Sequence, residues 1–159
     1  ELNRRASIIG FGALSFSFLN TNYKNDIKFD IDKALSFEGE TGPYAQYTYA
    51  RIQSLLKKGN FNIKTKIDYS LFNELESNLI KLLAEYPNVI KEASDKLKPS
   101  HLSSYLIKLA QKYNEFYQKS QVLKEKKDLK NSRLMLSYLT GSVLEKGLSL
   151  IDIEVLDEM

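Results

Sequence analysis

Tyrosines and basic residues recur on one side of a predicted helix in the first third of the chain. Tyr44, Tyr47 and Arg51 lie at positions i, i+3 and i+7, and Lys58 follows at i+14. These spacings place side chains on the same side of an α-helix. Aromatic rings can stack on unpaired bases while a neighbouring cation meets a phosphate. The pattern therefore favours a surface that contacts single-stranded nucleic acid.

The residues before these tyrosines predict how their helix begins. Thr41 is a typical N-cap residue, since its hydroxyl can accept from a free backbone N–H. Pro43 suits the first turn, because its φ is already helical and its missing N–H needs no partner there. Gly59 is a typical helix stop. We expect a helix over residues 43–58.

Two basic stretches support the same kind of partner. No acidic residue lies between positions 50 and 67, and this stretch contains Arg51, Lys57, Lys58, Lys64 and Lys66. The second stretch, residues 124–133, has five basic residues against two acidic ones. Charge runs are usually solvated faces, so the basic residues alone are weak evidence for nucleic acid.

A second aromatic group leads toward the second basic stretch. It contains Tyr113, Phe116 and Tyr117. We expect Tyr113 and Phe116 to pack in the core, because they continue an apolar stripe at helical spacing. Tyr117 ends that stripe, and we expect it to be more open.

The sequence lacks the residues of a free-standing enzyme. It has no cysteine, which excludes thiolate catalysis, disulfides and cysteine zinc sites, and no glycine-rich phosphate loop. The single histidine, His101, lies near a helix start, and no nucleophile motif accompanies it. We therefore expect His101 to be a surface or capping residue, and the acidic residues of the tail to be solvated.

Length and composition predict one domain with a real core. The chain has 159 residues, 43% of them hydrophobic, and a net charge of +3. Residues 4–19 combine a basic flank with an apolar run, as a signal peptide does. Serines and glycines interrupt this run, and it is too short to span a membrane. We expect a cytoplasmic protein that contacts no membrane.

The apolar periodicity predicts an all-α helical bundle with a short irregular or β N-terminal extension. Residues 1–36 are strand-like or irregular, and the alternation at 26–32 predicts a short strand. Helices are expected at 43–58, from 68–70 to Pro87, at 88–98, from Pro99 onward, and at 129–146, where Gly147 would end the last one. The apolar tail, residues 148–156, is expected to dock on the bundle.

Residues 37–51, FEGETGPYAQYTYAR, closely resemble a segment of arginyl-tRNA synthetases between the catalytic core and the anticodon-binding domain. Residues 9–19 and 29–37 resemble the stretches that precede it. Residues 114–123 are similar to a family motif with the pattern FNxFYxxxxVL, and residues 132–136 and 143–159 resemble the family's C-terminal end. The resemblance covers almost the whole chain and is weakest at 61–99.

This resemblance implies the end of a catalytic region and a connector at residues 1–42, and a helical anticodon-binding domain at 43–159. It implies that the partner is tRNA(Arg), contacted chiefly at the anticodon stem–loop, and that the parent enzyme is monomeric. The family joins arginine to tRNA using ATP, but its HIGH and KMSKS signatures are not in this sequence. We therefore expect the chain itself to have no catalytic residue, cofactor or metal. The positions that match the family's tRNA contacts are Tyr44, Tyr47, Arg51, Lys57, Tyr117 and Met159.

Two other interpretations remain open. In one, the chain is a helical protein–protein interaction module whose tyrosines are packing residues. Full burial of Tyr44 and Tyr47 with no basic surface beside them would favour it. In the other, residues 6–19 are a membrane or export segment.

Overall fold

The computed structural model describes residues 1–22 and 24–159, and these residues form six α-helices and no strand. The helices are α1 (Leu2–Leu19), α2 (Ile31–Ala34), α3 (Gly42–Gly59), α4 (Glu74–Asp95), α5 (Pro99–Lys119) and α6 (Lys127–Ser149). Short 3₁₀ turns lie at Tyr69–Leu71 and Val122–Lys124. The predicted all-α class is confirmed.

The core lies between α3, α4, α5 and α6. Helix α5 contacts each of the other three, and its residues Leu106, Leu109, Tyr113 and Phe116 are buried. This confirms the core positions predicted for Tyr113 and Phe116. Burial of this apolar stripe holds the bundle together, because most helical stability in proteins comes from the packing of an apolar face.

Helix α3 begins as predicted. The Thr41 hydroxyl accepts a hydrogen bond from the backbone N–H of Tyr44 at 3.1 Å. The helix starts at Gly42, one residue before the predicted start, and Pro43 lies in its first turn. It ends at Gly59, and Asn60 follows in the left-handed conformation with φ 51°.

The prediction for the N-terminal segment is wrong. Residues 2–19 form the long helix α1, which packs on α3. The serines and glycines of this segment do not interrupt the helix, and Gly12 lets the two helices approach closely. A Cβ on Gly42 would lie 2.5 Å from the carbonyl oxygen of Gly12, and Gly12 itself is buried. The division of the chain at residue 42 stays a prediction.

The strand predicted at residues 26–32 is also wrong. Residues 26–30 have no regular secondary structure and lead into the single turn of α2, where the Asp30 side chain caps the helix by accepting from the backbone N–H of Lys33 at 3.1 Å. A strand is stable only beside another strand, and the described residues contain none. Phe29 instead stacks on Phe18 of α1, with the ring centroids 6.2 Å apart.

Pro87 does not end a helix. Helix α4 runs through it, from Asn73, which begins a capping box with Glu76, to Asp95. A proline inside a helix costs about 3 kcal/mol. Packing of α4 on α5 offsets this cost, and the Tyr105 hydroxyl of α5 donates to the Leu82 carbonyl at 2.9 Å, which joins the two helices one turn before Pro87.

Gly147 lies inside α6 rather than at its end. The helix spans Lys127–Ser149, longer than predicted at both ends. Gly147 is needed for packing, because a Cβ there would lie 2.5 Å from the Leu106 side chain of α5. The tail folds back on the bundle and buries Ile151 and Ile153, which confirms its predicted docking.

Candidate nucleic-acid interface

A groove of about 1320 Å³ lies between α3, the end of α5 and the C-terminal tail. Five of the six predicted contact residues line it: Tyr47, Arg51, Lys57, Tyr117 and Met159. They come from three separate parts of the sequence, and the fold brings them together. The sixth, Tyr44, is half-buried beside the groove and is not among the residues that line it.

Arg51 lies between two tyrosine rings. The guanidinium carbon is 4.9 Å from the ring centroid of Tyr47 and 5.3 Å from that of Tyr117. Both distances are within the range of cation–π attraction. The two tyrosines are 37% and 36% exposed, so their rings remain accessible from the groove.

Asn114 connects this cluster to Tyr44. Its side-chain oxygen accepts from Nη1 of Arg51 at 2.6 Å. Its side-chain nitrogen donates to the Tyr44 hydroxyl at 2.9 Å and to the Thr48 hydroxyl at 2.9 Å. Sequence reasoning did not select Asn114 as a site residue. The available signal was a polar residue inside the apolar stripe of α5, three positions before Tyr117.

Two further aromatic residues at the groove escaped the sequence analysis. Phe61, just after α3, stacks on Tyr138 of α6 with ring centroids 5.2 Å apart, and both line the groove. They are far apart in sequence and belong to no local aromatic group. Only tertiary contact identifies them.

The groove carries charges of both signs. Arg5, Arg51, Lys57 and Lys58 line it, and so do the carboxylates of Glu1, Asp157 and Glu158. Lys57 is paired with the tail, since its Nζ lies 3.4 Å from Oε1 of Glu158. Both side chains are mostly exposed, so this pair is weak and sensitive to salt.

Hydrogen bonds from two buried residues of α3, Gln46 and Tyr49, hold the tail against the groove. The side-chain nitrogen of Gln46 donates to the Glu154 carbonyl at 2.7 Å and to the Ile8 carbonyl of α1 at 3.3 Å. The Tyr49 hydroxyl donates to Asp157 at 3.4 Å. Burial, followed by the negative charges of Glu145 and Asp157, raises the pKa of Tyr49 to about 12. These contacts place the half-buried Met159 at the groove.

The second basic stretch does not reach the groove. None of its residues lines it. Arg133 is buried inside the bundle, where its Nε lies 2.6 Å from Glu76 and its Nη1 lies 2.9 Å from Glu125. The charge of Arg133 is therefore balanced by carboxylates of the protein itself. The stretch 124–133 contributes less positive charge to a nucleic-acid surface than its sequence indicates.

His101, the single histidine, is half-buried in the first turn of α5. Within residues 1–22 and 24–159, no group of three or more His, Asp or Glu side chains is placed to hold a metal ion. Among the helices of these same residues, none is long and apolar enough to cross a membrane.

The helical bundle belongs to the class of tRNA-synthetase domains. It superposes on the arginyl-tRNA synthetase of Thermus thermophilus with a TM-score of 0.90 and 33% identity, covering 96% of this chain and 27% of that one. The enzyme from Plasmodium falciparum has the same fold at a TM-score of 0.90 and 22% identity, with 100% of this chain and 28% of that chain covered.

Sequence comparison then identifies the family. Residues 45–159 match the family described as the DALR anticodon binding domain, and the chain belongs to this family. It is 44% identical over 155 residues to the arginine–tRNA ligase of Streptococcus thermophilus, and this alignment covers 97% of this chain and 27% of the relative. The chain is thus homologous to arginine–tRNA ligases and spans about a quarter of their length. It corresponds to their anticodon-binding domain.

Proposed function

We propose that this chain binds tRNA(Arg), chiefly at the anticodon stem–loop, through the groove beside α3. The observation that carries the proposal is the position of Arg51 between Tyr47 and Tyr117 in a groove that also contains Met159. Anticodon bases are unpaired, so they can turn outward and stack on exposed rings. Family membership supports the same class of ligand.

Each side chain has a physical role in this proposal. Tyr47 and Tyr117 stack on bases, and each stack contributes about 1–3 kcal/mol. Arg51 donates to base edges or phosphate, and Lys57 contacts phosphate as a point charge. Met159 provides a flexible apolar wall for a base. In this scheme Tyr44 acts through its hydroxyl, which binds the same Asn114 that holds Arg51.

The chain would serve as the tRNA-positioning part of a longer cytoplasmic, monomeric enzyme. Residues 1–42 would form the end of its catalytic region. The remainder of that region, which lies outside this chain, would use ATP to attach arginine. The exposed apolar side chains of α1 support this arrangement: Phe11 is 69% exposed, and Phe18 is 45% exposed. Such a patch is typical of a surface that contacts further protein.

Fluorescence anisotropy with a labelled arginine anticodon stem–loop tests the proposal. Tyr117→Ala should weaken binding about 5- to 150-fold, the equivalent of one lost base stack. Removal of Met159 should also weaken it. Tyr69→Ala is the matched control, because Tyr69 is an exposed tyrosine (65%) that does not line the groove. Equal affinity for an unrelated stem–loop at moderate salt would contradict specific recognition.

A protein-interaction module is the second candidate function. It is favoured by an apolar cavity of about 410 Å³ between α4 and α6, whose lining includes Tyr69, Ile80 and Leu139. The groove argues against it as the main function, because Tyr47 is exposed and lies beside Arg51 and Lys57 rather than in the core. If Tyr69→Ala weakened RNA binding as much as Tyr117→Ala did, the choice of the groove would be wrong.

A further inference from the structure

We infer that Asn114 is a positioning residue that holds Arg51 in its RNA-binding orientation between Tyr47 and Tyr117. This inference rests on the proposed function for its consequence in RNA binding. Its structural part, the placement of Arg51, can be tested without RNA.

The hydrogen bonds around Asn114 determine which way its amide faces. The Thr48 hydroxyl donates to the Tyr44 carbonyl at 2.9 Å, so its oxygen is left to accept from the Asn114 nitrogen. The same nitrogen donates to the Tyr44 hydroxyl. The amide oxygen must then face Arg51, because the reverse orientation would place two donors against each other.

Arg51 needs such an acceptor to stay in place. Its side chain is long and has many rotamers, and ring contacts at a half-exposed site are individually weak. A hydrogen bond from a charged group is roughly twice as strong as a neutral one. Among the described residues, Asn114 provides the hydrogen-bond acceptor recorded for the Arg51 side chain. The bond uses one of five N–H donors, so others remain for a ligand.

Asn114 is built into the bundle rather than into the groove. It is 7% exposed and lies on α5, the central helix, whereas Arg51 lies on α3. Helix α5 therefore holds Asn114 in a fixed position, and the flexible Arg51 side chain is the part that contacts RNA. A residue of this kind acts through its neighbour, and its loss should matter only while that neighbour is present.

A double-mutant cycle tests this dependence. The 159-residue chain, Asn114→Leu, Arg51→Met and the double variant are compared by anisotropy with the arginine anticodon stem–loop. Asn114→Leu should weaken binding about tenfold in the Arg51 protein, as expected for a lost charge-assisted hydrogen bond. In the Arg51→Met background the same change should have an effect of less than about twofold. Equal losses in both backgrounds would overturn the inference.

The control for general damage is Ser103→Ala on the same helix. Ser103 is buried and donates to the Pro99 carbonyl at 3.3 Å. It lies eleven residues from Asn114, which is roughly 16 Å along the helix. This variant should bind RNA as the parent chain does. If Asn114→Leu does not fold, Thr48→Val replaces it, because it removes the hydroxyl that orients the amide. It should weaken binding about threefold, again only when Arg51 is present.

Proton NMR of the free protein separates the inference from the proposed function. Two neighbouring rings should shift the Arg51 Hδ resonances away from their random-coil values. Asn114→Leu should return them toward those values, whereas Asn114→Asp, which keeps an oxygen acceptor, should retain the shift. An unchanged shift in Asn114→Leu would overturn the inference. If no variant binds the stem–loop at all, the proposed function fails, and the NMR result still decides whether Asn114 positions Arg51.

Discussion

Replacement of Arg133 by methionine should destabilise the bundle without weakening RNA binding. Arg133 is 6% exposed and pairs with Glu76, which is 0% exposed. Methionine is unbranched and fills the space of the Arg133 aliphatic stem, but it provides no charge or donor. The change leaves the Glu76 carboxylate buried without its counter-charge.

The structure sets the size of this effect. Breaking a buried ion pair by removing one partner costs about 3–5 kcal/mol. Glu76 keeps one hydrogen bond, because its other oxygen accepts from the backbone N–H of Asn73 at 3.1 Å. Glu125, the second partner of Arg133, is partly exposed and can be solvated. The expected loss therefore lies near the lower end, about 3 kcal/mol, out of a typical total of about 5–15 kcal/mol.

Urea denaturation followed by circular dichroism measures this loss. Lys130→Met, nearly one turn earlier on the same helix, is the control and should change the free energy of unfolding by less than about 0.5 kcal/mol. Arg133→Met combined with Glu76→Met should recover much of the loss, because neither charge is then buried. Under conditions in which Arg133→Met is folded, this variant should bind the stem–loop with the affinity of the parent chain. A loss below about 1 kcal/mol, or an RNA defect like that of an Arg51 variant, would refute the buried-pair interpretation.

Two further predictions concern the C-terminal tail. Glu158→Gln frees Lys57 and removes a negative charge from the groove. Because an exposed ion pair contributes about 0.2–1 kcal/mol, RNA should bind up to about fivefold more tightly at low salt. This gain in affinity should disappear at high salt. Glu85→Gln, which replaces an exposed residue of α4, is the control and should show no gain. A gain that does not depend on salt would contradict the electrostatic cause. The pKa of Tyr49 in the folded state is about 12, above the ordinary value of 10.0. As pH rises, Tyr49 therefore loses its proton first in the unfolded state, and the free energy of unfolding should fall between pH 10 and pH 12. Below pH 10 this stabilising contribution is fully present. Between pH 8 and pH 11.5, the urea midpoint of Tyr49→Phe should fall less steeply with pH than that of the parent chain. Equal slopes would exclude Tyr49 as a cause of the pH dependence.

The local signals that predicted correctly are those whose physical basis lies within one turn of chain. Thr41 caps α3 because a hydroxyl next to free N–H groups has its partner three residues away. The helical spacing of Tyr47 and Arg51 likewise follows from backbone geometry alone, and it places the two side chains within contact distance. Pattern also sufficed for the burial of Tyr113 and Phe116, because an apolar stripe must face the core.

The same local reasoning was wrong where packing between helices outweighs propensity. Pro87 is a helix breaker by itself, but α4 continues through it because both of its halves pack on the bundle. Gly147 is a typical helix stop, yet here it provides room for Leu106. Residues 1–36 were predicted to be strand-like or irregular, but residues 2–19 form a helix, in which Gly12, without a Cβ, permits the close contact with Gly42.

The sequence by itself determined the helical class, the family resemblance and the residue types that an RNA surface needs. The tertiary structure decided which of these residues act together, because side chains distant in sequence meet only when the helices pack. It brought Tyr117 and Met159 to the α3 groove and set Asn114 against Arg51. It also directed Arg133, a cation in a basic stretch, into the core, where a buried carboxylate balances its charge.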